Sequence, residues 1–121
     1  PGAARKAAAY ARGVARREVA RPLREAAQAA DTVVLGIGGV LTLSVAPQVG
    51  ADAYTRRRVR DALLTRCTWD DAAFDSDYAD TQASNLALVA GFMEGLGIRK
   101  VHAMDANLAD GVLVSPGYWK R

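Results

Sequence analysis

Large anchors and reactive side chains are scarce in this chain. Among its 121 residues are one cysteine, one histidine, two tryptophans, two phenylalanines and four tyrosines. A single Cys67 excludes an internal disulfide, which fits a reducing, cytoplasmic compartment. With no histidine partner nearby in sequence, Cys67 reads as a small core residue before a nucleophile. His102 has no companion ligand and is expected on a surface or in a core. No apolar run is long enough to span a bilayer, and no secretory signal is present. Neither Gly-x-Gly-x-x-Gly nor Gly-Lys-Ser/Thr occurs, so both common nucleotide fingerprints are unmet. An initiator methionine is also lacking. The chain opens at Pro1 directly in a helical pattern and reads as a piece of a longer protein.

Alanine is what the sequence has in quantity. Half of the residues are hydrophobic and a quarter are charged, an ordinary globular balance for one domain or part of one. With so few large side chains, the core is expected to be built from closely approaching helices. The formal net charge is +3 and the pI about 9.4. The charge is unevenly spread: Arg5, Lys6, Arg12, Arg16, Arg17, Arg21 and Arg24 crowd the start, and Asp70, Asp71, Asp75, Asp77 and Asp80 form an acidic stretch. This is polar patterning more than a uniform nucleic-acid-binding surface.

The central stretch is Asp31 to Ser44. Thr32 to Leu35 is β-branched and apolar on both faces, the mark of a short strand buried in a parallel sheet. Gly36, Gly38 and Gly39 break it, and Val40 to Val45 starts a helix that Pro47 is expected to stop. Strand, glycine turn and helix start suit a phosphate, because glycines admit a ligand to the backbone and helix N-termini favour anions. A tight turn with no ligand is the competing account.

Upstream, Ala3 to about Ala30 reads as helix in two segments meeting at Pro22, which suits the first turn of the second. Ala4, Ala7, Ala8, Ala11, Val14 and Ala15 share one side, and arginines occupy much of the other. That arginine side is a solvated face or a holder of polyphosphate or nucleic acid. Downstream, Pro47 to Asp52 is a loop. Thr55 caps a helix ending near Arg66, with Tyr54 and Val59 at hydrophobic-staple positions. Thr68 to Tyr78 is an acidic connector anchored by Trp69 and Phe74, its carboxylates solvated or, alternatively, metal-binding. Asp80 or Thr81 caps a helix to about Leu96, whose Ser84, Ala87, Gly91 and Gly95 offer a small-residue face for close packing. Gly97 takes a left-handed cap with Ile98 as its partner. Lys100 to Met104 is a second strand, and Asp105 to Gly111 is the loop at its carboxyl end, only superficially like a calcium loop.

In order and spacing, these features resemble the exopolyphosphatase/guanosine pentaphosphate phosphohydrolase family of the sugar kinase/actin/heat-shock ATPase superfamily. Gly36 to Thr42 answers the family's Gly-x-Gly-Gly-Thr-x-Thr. Ala79-Asp80, the helix to Leu96 and Gly97-Ile98 answer its helix region. Asp105, Leu108 and Gly111 answer its closing Ser-Asp-x-x-Leu-Arg-Glu-Gly. The chain departs from that pattern at Val40, where the family has Thr, at Ala109 for Arg, at Asp110 for Glu, and at Tyr78 for Arg. The resemblance implies an α/β fold: a fragment of an actin-like (ribonuclease H-like) ATPase lobe, with short parallel strands and helical crossovers. Residues 1–121 would be the C-terminal half of the second lobe, the family's catalytic Glu and phosphate loop lying upstream.

The activity so implied is cleavage of terminal phosphoanhydrides of inorganic polyphosphate or guanosine pentaphosphate by the whole enzyme. The alternative is a non-catalytic nucleotide- or polyphosphate-sensing module of the same fold. No catalytic residue falls in this chain. Gly36, Gly38, Gly39 and Thr42, with Asp105 and Asn107, would contact the substrate's phosphates. Mg²⁺ is implied for the family, with its ligands outside this chain. The expected partners are a phosphorylated small molecule or polyphosphate, the absent N-terminal lobe and a second copy of the chain. Nucleic acid and membrane are disfavoured.

Overall fold

The computed structural model describes residues 1–74 and 76–119. Two helices open the chain, α1 (Gly2–Glu18) and α2 (Arg21–Gln28), separated by extended backbone at Val19 and Ala20. Pro22 lies in the first turn of α2, where its missing N–H costs nothing. Strand β1 (Leu35–Ile37) follows, then a π-helical segment (Val40–Val45) running directly into α3 (Ala46–Val49). Strand β2 (Ala53–Thr55) leads into α4 (Arg56–Arg66), and a 3₁₀ turn (Asp71–Ala73) precedes α5 (Ala79–Leu96). Strand β3 (Lys100–Met104), α6 (Leu108–Val114) and α7 (Pro116–Trp119) complete the order.

The fold is mixed α/β around a three-stranded sheet of order β1-β3-β2. Strand β1 pairs parallel with β3, with Leu35 opposite His102 and Ile37 opposite Met104. The two expected strands therefore do share one sheet in parallel. Strand β2 pairs antiparallel on the other edge of β3, with Tyr54 opposite Val101. Three residues are too few for an alternation pattern, so β2 left no signal apart from its role as the approach to α4.

Several boundaries differ from expectation. The first strand occupies Leu35–Ile37 and not Thr32 to Leu35, although the carbonyl of Val34 already accepts from His102 N–H. It is not buried on both faces, since Val33 and Leu35 are more than half exposed. Gly36 lies inside the strand because a Cβ there would stand 2.7 Å from Val101 Cγ1 and 3.0 Å from Leu41 Cδ1. Pro47 does not stop the helix. The N–H of Ala46 reaches back five residues to Leu41 carbonyl, and this wider turn lets the chain continue through the proline to Val49. Gly50, at φ 67°, ends it. Helix α5 begins at Ala79, before Asp80, with no side-chain cap at Tyr78. The stretch from Asp105 to Gly111 is only partly loop, because α6 starts at Leu108.

Other expectations hold. Thr55 accepts from the N–H of Arg58 and caps α4, with Tyr54 and Val59 both fully buried beside it. Gly97 is left-handed at φ 71°, and Ile98 N–H returns to Met93 carbonyl. In the connector Phe74 is buried, whereas Trp69 is 40 % exposed and stacks under Arg66. Asp75 of the acidic stretch lies outside the described residues.

The core sits on α5. Leu86, Val89 and Met93 bury against Val45, Tyr54, Val59, Leu63 and Val101. Its small-residue face takes α1: at Gly91 a Cβ would meet Ala11 Cβ at 2.6 Å, and at Gly95 it would meet Ala15 Cβ at 2.9 Å. Alanine and glycine thus bring the two helix backbones together, and Ala11 and Ala15 are buried there. Among the described residues no helix is long and apolar enough to cross a membrane.

Candidate functional site

Parallel pairing puts the carboxyl ends of β1 and β3 side by side. Ile37 opposes Met104, so the chain leaves the two strands together as Gly38 and Asp105. Adjacent strands lie about 4.8 Å apart, and two segments far apart in sequence therefore meet at one edge of the sheet. Loops at this edge are where open α/β sheets hold ligands.

Gly38 adopts φ 90°, a conformation that favours glycine, and it has no atom within 4 Å of where a Cβ would lie. Its carbonyl accepts the N–H groups of Leu41 and Thr42 and the hydroxyl of Thr42 at 3.0 Å. The Thr42 hydroxyl proton is thereby committed to the turn, leaving its oxygen lone pairs as acceptors. Gly39 is helical at φ −56°, and its nearest neighbour in the Cβ direction is Leu43 Cδ1 at 3.9 Å. These two glycines present open backbone. Gly36 does not, because Val101 and Leu41 occupy the space around it.

The turn roofs a groove of about 380 Å³ whose walls include Leu35, Ile37 and Val40 on one side and Leu88, Phe92 and Leu96 of α5 on the other. Among the described residues no charged side chain lines it. This surface accepts the flat face of an apolar or aromatic group more readily than a phosphate, which would meet only backbone amides.

Asp105 is exposed at the end of β3. Asn107 is differently placed: its side chain accepts Asp110 N–H at 3.1 Å, while Asp110 carboxylate accepts Asn107 N–H at 2.8 Å. This reciprocal capping box starts α6 and occupies both side chains. Thus Gly38, Gly39 and Asp105 come together, and Asn107 is turned to helix capping. Asp52 belongs to no motif in the sequence. Its carbonyl accepts from Ala103 N–H, which sets it at the same sheet end as Asp105. Recognising β2 would have found it.

Behind the turn lies a buried polar cluster. Ser44 Oγ donates to Gln82 Oε1 at 2.8 Å, Gln48 Nε2 donates to the same oxygen at 2.8 Å, and Asn85 Nδ2 donates to Ser44 Oγ at 3.1 Å. Gln48 Oε1 is buried with no partner among the described residues. The cluster ties the π-helical segment and α3 to α5, and it fixes the turn from behind. Tyr54 adds a second tie, its phenol donating to Leu41 carbonyl at 3.3 Å. Burial pushes that phenol up to about 12.

The family resemblance would place any Mg²⁺ ligands outside this chain. Asp105 offers one carboxylate, Asp110 is bound into its capping box, and among the described residues no three His, Cys, Asp or Glu side chains gather. Cys67 is half-buried, its thiol directed to Leu64 carbonyl, and His102 sits half-buried in the central strand. Comparison with family models, with curated proteins and with solved structures finds no match for this chain.

Proposed function

We propose that this chain forms the cleft-facing part of the second lobe of an actin-like phosphohydrolase, resembling the exopolyphosphatase/guanosine pentaphosphate phosphohydrolase family. The reaction is cleavage of a terminal phosphoanhydride of guanosine pentaphosphate or inorganic polyphosphate in the cytoplasm. The observation that carries this reading is the meeting of Gly38 and Asp105 at the adjacent carboxyl ends of two parallel strands. In the proposal the catalytic carboxylate, the phosphate loop and the metal ligands belong to the rest of the protein. Bound Mg²⁺ would screen the phosphates. Gly38 and Gly39 admit the ligand to the backbone, the apolar groove covers the flat face of a base, and Asp105 accepts from ligand hydroxyls. This division favours guanosine pentaphosphate over a bare phosphate chain.

A second reading keeps the fold and loses the chemistry, as a nucleotide- or polyphosphate-sensing module. It is favoured by Val40, which sets methyl groups where the family has a hydroxyl, and by the closure of Asp110 onto Asn107.

Gly39→Val in the whole protein tests the site. Space is open at that position, so unfolding by denaturant should change little. Binding of guanosine pentaphosphate should weaken at least tenfold, about 1.4 kcal/mol. Unchanged affinity removes the turn from the site. Phosphate release by the unsubstituted protein separates the two readings, since tight binding without release is the sensor's signature.

A further inference from the structure

Helices α1 and α4 both lean on α5, and a cleft of about 850 Å³ runs between them. Arg5 and Arg12 stand on one rim, and Arg56, Arg57 and Arg60 stand on the other. Two carboxylates share the lining. Glu94 pairs with Arg12 at 2.8 Å, and Asp61 pairs with Arg57 at 3.6 Å. The second pair is loose, with the Arg57 side chain 91 % exposed. Arg5, Arg56 and Arg60 are exposed and make no ion pair with any described residue. Five guanidiniums against two carboxylates leave the cleft with a charge of +3.

We propose that this cleft docks an acidic, amphipathic helical segment of a partner protein. Three observations choose that occupant. Arg56 and Arg60 are one helical turn apart, roughly 6 Å, and Arg5 and Arg12 are two turns apart, roughly 10 Å. Arg12 is already held by Glu94, so the unpaired Arg56 and Arg60 set the register, matching carboxylates one turn apart along a bound helix, with Arg5 on the opposite rim. Between the arginines the lining is apolar and mostly small, with Ala8, Ala9, Leu63, Leu64 and Ala90, which lets a second helix approach closely. Helix α4 also opens on three consecutive arginines, Arg56, Arg57 and Arg58, with no acid in its first turn. Positive charge there opposes the helix dipole, and an acidic partner offsets that cost.

Polyphosphate and nucleic acid fit less well. A continuous phosphate chain laid along the cleft meets Asp61 and Glu94, and among the described residues no aromatic side chain lines it for base stacking. Guanidinium forks pair bidentately with single carboxylates. The rims need no rearrangement, because glycine and alanine contacts hold α1 on α5 and buried Val59 and Leu63 hold α4.

The experiment is fluorescence anisotropy on the whole protein with a labelled synthetic helix of about 15 residues. The helix carries Glu at every third or fourth position beside a stripe of Leu. Three probes accompany it: the same composition scrambled to break the spacing, linear polyphosphate, and duplex DNA. The designed helix should bind at least tenfold more tightly than its scrambled form. The double variant Arg56→Ala/Arg60→Ala should weaken it at least tenfold, while Arg17→Ala, outside the cleft, should leave it unchanged. Circular dichroism of each variant, with Arg5→Ala as a second rim substitution, separates a lost contact from a lost fold. Equal binding of the scrambled peptide, indifference to the rim variants, or tighter binding of polyphosphate or DNA at the cleft would overturn the proposal.

Discussion

Tyr54 ties two elements together through one side chain. It lies in a three-residue edge strand, it is completely buried, and its phenol donates to Leu41 in the π-helical segment. Removal from water disfavours the phenolate, so the folded protein holds this proton up to about pH 12, whereas an unfolded tyrosine releases it near 10. Below pH 10 both states are protonated and the contribution to stability is whole. Between 10 and 12 the unfolded chain ionises first, so stability falls as pH rises and levels off above the folded value. The gap corresponds to roughly 2 to 3 kcal/mol. Urea unfolding at pH 8 and pH 11 should show about half of this loss in the unsubstituted protein, since pH 11 lies midway between the two values. Tyr54→Phe should abolish that part of the pH dependence. At pH 8 it should cost only about 0.5 to 1.5 kcal/mol for the lost hydrogen bond. An equal pH dependence in both proteins would show that other groups drive alkaline unfolding.

At the scale of elements, the junction of α1 with α5 is the main architectural bond. It is made by small residues. The exposed pair Arg12–Glu94 decorates this junction, and a pair that open to water adds about 1 kcal/mol at most. Gly91→Ala should therefore destabilise the protein, since the new methyl group would press on Ala11 Cβ and on the backbone of Arg12. Overpacking of this kind costs about 1 to 3 kcal/mol, against the roughly 1 kcal/mol that alanine gains over glycine inside a helix. Gly39→Ala, with open space, should be near neutral. Comparing the two midpoints in urea checks the claim, and a stabilised Gly91→Ala would refute close helix contact. The small-residue face was legible in the sequence, because Ser84, Ala87, Gly91 and Gly95 repeat at helical spacing, but such a face suits a helix or a sheet, so α1 was not singled out as its partner. Two other elements were hidden. The π turn carries no compositional mark, and Pro47 pointed towards a stop because a regular α-helix would have broken there. Strand β2 is shorter than any periodicity. Missing it hid Asp52, which stands at the same end of the sheet as Asp105. The capping box of Asn107 and Asp110 was written in the sequence as a polar pair three apart, but the same residues also spelled a loop.

For the molecule as a whole, the distribution of apolar surface is uneven. One side of α5 is closed by α1, α4 and the π-helical segment. The other side, under the glycine turn, leaves Leu35, Ile37, Val40 and Leu88 each more than a third exposed, and Leu43 is 76 % exposed nearby. Strand β1 is also an edge, its outer hydrogen-bonding side unpaired. An apolar patch beside an open strand edge is the combination that proteins otherwise blunt with charge or cover. The 121-residue chain by itself should therefore be only marginally stable and should self-associate as its concentration rises. Leu35→Lys places a charge on the outer face of the edge strand, where the side chain is already 56 % exposed and little packing is lost. It should shift the protein towards monomer on light-scattering chromatography while changing its thermal midpoint by no more than a few degrees, since a surface substitution is usually within about 0.5 kcal/mol. The two measurements fail separately. A strictly monomeric parent protein with a sharp transition at high temperature would show that the patch is tolerated. Association that persists undiminished in Leu35→Lys would move the contact elsewhere, with the arginine cleft and the exposed aspartates of the connector as the next surfaces to vary.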